Sequence, residues 1–201
     1  MFIRIIIFQL FILALLSQSV FAGAIDCNGG RYENNNNGTV SDCRTGLIWL
    51  KDATCLGYTS GEITNTYGYL TWAEAQTFVA GLQNGICGLT DGSAAGDWRL
   101  PTKTEFMAMI QSAINQKFGS DSAPVLTDET GTNQWTAGHP FTNVWPSQYW
   151  TDTTDLSNAD LAWDVRLYKN AIPASVSKTI QRYMWPVRAG NGGLYKSVLI
   201  Q

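Results

Sequence analysis

The chain has 201 residues, with 13 Lys+Arg against 16 Asp+Glu and a formal net charge of −3. An acidic whole excludes a general nucleic-acid binder, which needs a basic surface for phosphate. After the first two dozen residues no apolar stretch approaches the roughly 20 residues that a spanning helix requires.

Residues 1–22 read MFIRIIIFQLFILALLSQSVFA. One cation, Arg4, precedes an apolar run from Ile5 to Leu16, and small residues follow at Val20 and Ala22. This is the layout of a secretory signal peptide, with cleavage expected after Ala22 or Ala24. Residues 23–201 then form one domain of ordinary size, about 178 residues long. All eight tryptophans lie in it, enough to build a sizeable core. The expected location is outside the cytoplasm: secreted, periplasmic or on the cell surface.

Cys27, Cys43, Cys55 and Cys87 also lie in this part. An even count in an oxidising compartment predicts two disulfides. Short loops favour sequential pairing, Cys27 with Cys43 and Cys55 with Cys87. The spacings of 16, 12 and 32 contain no C-x-x-C knuckle, which argues against a four-thiolate zinc site.

Three short strands are predicted before residue 52. Tyr32 opens the first, Asn37-Gly38 is a turn signal, TVSD is the second, and Leu47 to Leu50 is the third. Residues 57–68 read as a polar loop. LTWAEAQTFVAGLQNG is helical: Thr71 and Glu74 make a capping box, and Trp72, Ala75, Val79 and Leu82 share a face. In GDWRLPTKTEF, Pro101 holds the chain extended before a second capping box, Thr102 with Glu105. Trp98 and Leu100 point to the core, while Asp97 and Arg99 brace neighbouring loops. Phe106, Met109, Ile110 and Ala113 form the apolar face of the second helix. Residues 119–147 hold no period and read as a long loop.

Three strand-like segments follow: QYWTDTT from Gln148, LAWDVRLYK from Leu161 and IQRYMWPVR from Ile180. Their alternation predicts antiparallel strands with one wet face. Trp163, Val165 and Leu167 are expected inside, with Asp164, Arg166 and Tyr168 outside. Tyr183, Trp185 and Val187 are expected inside, with Arg182, Met184 and Arg188 opposite. Charge is uneven along the chain. Residues 23–161 carry six Lys+Arg against fifteen Asp+Glu, and residues 162–201 carry six against one. The basic end leaves room for a local anionic ligand.

Seven segments in order resemble a known family: RYENNNNGTVSDCRTGLIWLKDATC, TWAEA, CGLTDGSAAGDWRLPTKTEF, GHPFTNV, YWTDTT, AWDVRLY and RYMWPVRAG. The family is the Lcl C-terminal domain, found at the end of collagen-like bacterial adhesins and long a domain of unknown function. The resemblance runs from Arg31 to Gly190. It implies an α+β, C-type-lectin-like fold, disulfide-stapled, with two helices packed on small twisted antiparallel sheets and chain ends close together. It also implies a surface role in attachment, with sulfated polysaccharides as one ligand class. No collagen-like stalk is present, so trimeric architecture does not carry over.

Catalytic constellations are hard to assemble. His139 is the single histidine and sits before a proline in a turn-rich segment. There is no G-x-S-x-G elbow, and the cysteines are better used in disulfides. Sulfatase-modifying oxidases share the broad fold class but need reactive cysteines late in the chain, where this one has none. Calcium has two weak openings. One is the turn NNNNGTVSD, where Glu33 and Asp42 alone are charged. The other is the group Asp152, Asp155, Asp160 and Asp164. Neither has the several clustered carboxylates that calcium usually takes, so no metal and no cofactor are expected. The remaining candidate is a binding face of Asp164, Arg166, Tyr168, Lys169, Lys178, Arg182 and Arg188. Its cations could engage sulfates or carboxylates, and its Tyr could stack on sugar rings. The expectation is a non-enzymatic binding module for a polysaccharide or a surface protein, with an enzyme on a related fold and a structural subunit of a surface assembly as the alternatives.

Overall fold

A computed structural model describes residue 27, residues 29–55 and residues 69–190. The expected signal peptide and the polar loop before the first helix lie outside the described residues. Among the described residues, seven strands and two helices occur in the order β1 (Tyr32–Asn34), β2 (Thr39–Asp42), β3 (Leu47–Leu50), α1 (Trp72–Gly81), α2 (Lys103–Asn115), β4 (Gln148–Asp155), β5 (Asn158–Arg166), β6 (Ala174–Ser177) and β7 (Val187–Ala189). They form two antiparallel sheets, ordered β1-β2-β3-β7 and β4-β5-β6.

The first sheet draws the two ends of the described chain together. β7 lies beside β3 with Leu47 opposite Ala189, and Gly190 N–H donates to the Gly46 carbonyl at 3.1 Å. The β1–β2 turn depends on Gly38, whose φ is +84°. A Cβ there would stand 2.5 Å from the Gly88 carbonyl oxygen, so only glycine fits against that strand of backbone.

Both helices start as their sequences dictate. Thr71 and Thr102 accept from Glu74 N–H and Glu105 N–H, and each glutamate reaches back to the cap backbone. In α1, Ala75 and Val79 are buried, and Leu82 caps the C-terminus. In α2, Phe106, Met109, Ile110 and Ala113 are all buried, as the period predicts.

The main core is aromatic. Trp185 sits among Phe141, Trp49, Tyr149 and Phe106, with ring centroids 4.9 to 6.1 Å away and mostly edge-on. Its Nε1 donates to the Leu50 carbonyl at 2.8 Å, so the buried indole is not left unpaired. A second apolar cluster of Leu70, Ala75, Val79, Leu100, Trp150, Ala162 and Met184 joins α1 to the other face of the β4–β5 pair. That sheet is therefore packed on both faces near its middle, a point the strand period does not reveal.

GDWRLPT is the joint between these parts. Trp98 enters the main core and Leu100 the second cluster. Arg99 exchanges two backbone hydrogen bonds with Val187 of β7, and Asp152 N–H of β4 donates to the Pro101 carbonyl. The Arg99 guanidinium grips both oxygens of Glu105 at 2.7 Å, tying the segment to the first turn of α2. On the other side of α2, buried Arg31 donates to Asp42, Ser112 and the Ala108 carbonyl.

Two disulfides join Cys27 to Cys43 and Cys55 to Cys87, with Cα–Cα separations of 6.0 and 5.6 Å. The first ties the chain before β1 to the end of β2. The second ties the segment after β3 to the loop after α1. No helix among the described residues is long and apolar enough to cross a membrane.

Three strand expectations need correction. IQRYMWPVR is not one strand. Only Val187–Ala189 is β7, while residues 182 and 183 make single bridges to Leu70 and Tyr149. Met184, expected beside water, is buried in the second cluster. The sequence does not predict the strand β6, because ASVS is only four residues long and Val176 is its one bulky residue.

Candidate functional site

β5 is central in its sheet and carries the residues expected to face a ligand. Residues directly opposite in an antiparallel pair share a face. Thr154, Trp150 and Gln148 of β4 stand opposite Ala162, Asp164 and Arg166 of β5. Near Ala162 this face is closed by α1. Towards Arg166 it opens.

Asp164 is not on a wet face. It is fully buried, and its Oδ2 accepts from Arg182 Nε at 2.7 Å. The sequence expectation fails because Arg182, more than a dozen residues away, supplies a partner that brings the carboxylate inside. A buried carboxylate with a close guanidinium is part of the framework, and so is that guanidinium. Arg188 is engaged in the same manner: it meets Asp91 Oδ2 at 3.0 Å and lies over the Trp98 ring. It also belongs to the other sheet. Lys178 donates to Thr154 Oγ1 at 3.0 Å and sits 4.1 Å from the Trp72 ring centroid.

The remaining three gather at the open end of β5. Arg166 faces Gln148 in register, and Gln148 Nε2 donates to Tyr168 Oη at 2.7 Å. Lys169 follows, with a side chain 66% exposed and a loose 3.6 Å pair with exposed Asp121. Such a surface pair is worth at most about 1 kcal/mol and yields readily to another anion. Arg166 stands apart from the other arginines. Among the described residues its guanidinium has no hydrogen bond and no ion pair, and its Nε is buried without an acceptor. A fixed, partly desolvated cation with an empty donor fork beside a tyrosine hydroxyl is suited to an oxyanion.

The seven expected residues thus do not form one face. Asp164, Arg182 and Arg188 hold the fold together, and Lys178 covers Trp72. Arg166, Tyr168 and Lys169 form a small basic cluster. Gln148, opposite Arg166 in register and hydrogen-bonded to Tyr168, is not among the residues that the sequence singles out. Nothing in its sequence context marks it, since only strand register places it there.

The other carboxylates are held in local turns. Asp42 is fully buried against Arg31, and Asp155 accepts from Ser157 N–H and Oγ at 2.8 and 2.6 Å. The Ser157 hydroxyl is the main reason that the Asp155 carboxyl is held down at about 2. Asp152 goes the other way, raised mainly by burial. His139 is exposed and lies 3.6 Å from Glu129. Among the described residues no group of three or more His, Cys, Asp or Glu is placed to hold a metal ion.

Fold and site together define a disulfide-stapled α+β domain with a basic, tyrosine-bearing cluster at the end of its smaller sheet. The chain belongs to the Lcl C-terminal domain family, whose model matches residues 38–188. No curated protein matches it.

Proposed function

We propose that the protein is an exported, non-enzymatic binding module that recognises an acidic polysaccharide, sulfated or carboxylated, at the Arg166–Tyr168–Lys169 cluster. The observation that carries this reading is the Arg166 guanidinium, which among the described residues lacks any protein acceptor, where Arg182 and Arg188 each hold one. Membership of the Lcl C-terminal domain family supports an adhesin-related role. The paired sheets, the two capped helices and the adjoining chain ends support a C-type-lectin-like arrangement. The four cysteines, all in disulfides, support life in an oxidising compartment. The reading requires no metal and no cofactor.

The test is a glycan array on the purified, oxidised protein, with and without calcium, followed by a salt titration of any hit. Binding to sulfated or uronic glycans that weakens steeply with salt and vanishes in Arg166→Gln is the expected result. Calcium-dependent binding to neutral glycans that ignores Arg166→Gln would overturn it. Retention of a protein partner without any glycan binding would redirect the function to surface-protein recognition.

A further inference from the structure

Two tryptophan–lysine pairs of similar geometry occur around the smaller sheet. Lys178 Nζ lies 4.1 Å from the ring centroid of Trp72, the first residue of α1. Lys103 Nζ lies 3.6 Å from that of Trp163 on β5. An ammonium over an indole is worth roughly 0.5–1 kcal/mol at an exposed site and carries no functional message by itself. The difference between the pairs lies in their polar heads.

In the first pair both heads are bonded within the protein. Trp72 Nε1 donates to the Thr151 carbonyl at 2.9 Å, and Lys178 Nζ to Thr154 Oγ1 at 3.0 Å. In the second pair, among the described residues, neither Trp163 Nε1 nor Lys103 Nζ donates to any protein acceptor. Only the base of Lys103 is fixed, by its backbone N–H on Thr153 Oγ1 at 2.9 Å. Both residues are half-exposed. The first pair is closed and the second is open.

The surroundings of Trp163 narrow the ligand. Ser175 of β6 stands directly opposite it in register. Asp155 is near enough to Lys103 for their charges to interact, and its carboxyl is ionised at neutral pH. The rim of the ring thus offers two free donors, a hydroxyl and a carboxylate. With one ammonium and one carboxylate in the neighbourhood, the place does not concentrate charge of either sign. It suits a molecule with a flat C–H face and a belt of hydroxyls that both donate and accept.

We propose that Trp163 and Lys103 form a stacking subsite for a neutral pyranose unit of a glycan. The subsite lies on the opposite face of β5 from the Arg166 cluster, since the two residues are three apart on one strand. The sugar lies on the indole, its oxygens accept from Lys103 Nζ and Trp163 Nε1, and a hydroxyl donates to Asp155. The flexible stem of Lys103 lets its ammonium move from the ring to the rim as the sugar arrives. This rests on the reading of the chain as a glycan-binding module and adds a second sugar class and a second place.

The test is heteronuclear NMR of the oxidised protein, in which each of the eight tryptophans carries one indole N–H. Trp163→Phe identifies the signal of Trp163. Short neutral gluco-, manno- and galacto-oligosaccharides are then titrated at low and high salt. At least one series should shift the Trp163 signal, equally at both salt levels. Trp163→Ala should weaken that binding about tenfold, a loss of about 1.4 kcal/mol. Lys103→Met should also weaken it, and Trp72→Phe should leave it unchanged. The proposal is overturned if no series moves the Trp163 signal, or if binding survives in Trp163→Ala. Should Trp163→Ala fail to fold, wild-type affinity in Lys103→Met overturns it equally. Loss of sulfated-glycan binding in Arg166→Gln with neutral binding intact separates the two sites. Failure of neutral binding alone leaves the Arg166 reading standing.

Discussion

Arg166 and Arg182 both stand beside Asp164, and one substitution made in each separates a framework arginine from a free one. Arg182→Met removes the Nε that lies 2.7 Å from Asp164 Oδ2 and leaves a carboxylate with 0% side-chain exposure unpaired. Breaking a buried pair from one side costs about 3–5 kcal/mol. Arg182 keeps 21% exposure, so water can reach part of the vacated space, and the lower end, about 3 kcal/mol, is expected. For a domain of this size that corresponds to a fall of about 6–12 °C in Tm. Arg166→Met is expected to do the opposite. It deletes a buried Nε with no acceptor, a group whose desolvation costs about 1–3 kcal/mol, and it keeps the aliphatic stem. Stability should stay level or rise by up to about 1 kcal/mol.

The assay is urea unfolding of the oxidised protein followed by tryptophan fluorescence, with unchanged m-values as the condition for comparison. Adding Asp164→Leu to Arg182→Met should recover most of the loss, since an apolar pair of similar volume replaces a buried ion pair at little net cost. The reasoning is refuted if Arg182→Met costs less than about 1 kcal/mol, or if Arg166→Met costs as much as Arg182→Met. The latter result would mean that Arg166 has a structural partner after all.

Further outcomes are expected. Replacing Cys55 and Cys87 together by Ser should lower stability by about 3–4 kcal/mol, and non-reducing peptide mapping should recover only the two sequential pairs. Thr102→Ala should cost about 1 kcal/mol in the same urea assay, through loss of the α2 cap. Burial alone would raise the Glu105 carboxyl, but hydrogen bonds from Arg99 and from Thr102 N–H outweigh it and hold the group below its ordinary 4.5. A depressed folded value gives stability that is present above 4.5 and lost as pH falls through the folded value. A Tm–pH series should therefore drop on the acid side, and Arg99→Met should lower Tm at neutral pH and flatten that drop. Asp152, raised by burial, has the reverse sign, so Asp152→Asn should raise Tm at neutral pH.

Much of the fold is legible in the sequence because its signals are local. Thr71 with Glu74 and Thr102 with Glu105 place the helix starts at the right residues, since a capping box needs only four consecutive positions. Asn37-Gly38 marks the first hairpin for a comparably local reason, and Gly38 is then fixed by the approach of Gly88. The C-terminal strands are less legible. Alternation along LAWDVRLYK assumes one packed face, whereas the β4–β5 pair is packed on both. Ala162 and Asp164 are buried on one side and Val165 on the other, while Trp163, expected inside, is half-exposed where the packing ends.

The same limit governs the site. Sequence reading locates the basic C-terminal segment but cannot tell a spent cation from a free one, because that depends on acids brought from elsewhere in the chain. Asp91 reaches Arg188 across 97 positions, and Asp164 reaches Arg182 across 18. Subtracting these pairs leaves Arg166, with Lys169 only loosely held. The same comparison applied to the two tryptophan–lysine pairs leaves Trp163 with Lys103, because Trp72 is bonded to Thr151 and Lys178 to Thr154. The residues most suited to a ligand are therefore those whose hydrogen-bonding capacity the fold does not use. They are recognisable only once every nearby donor and acceptor has been placed.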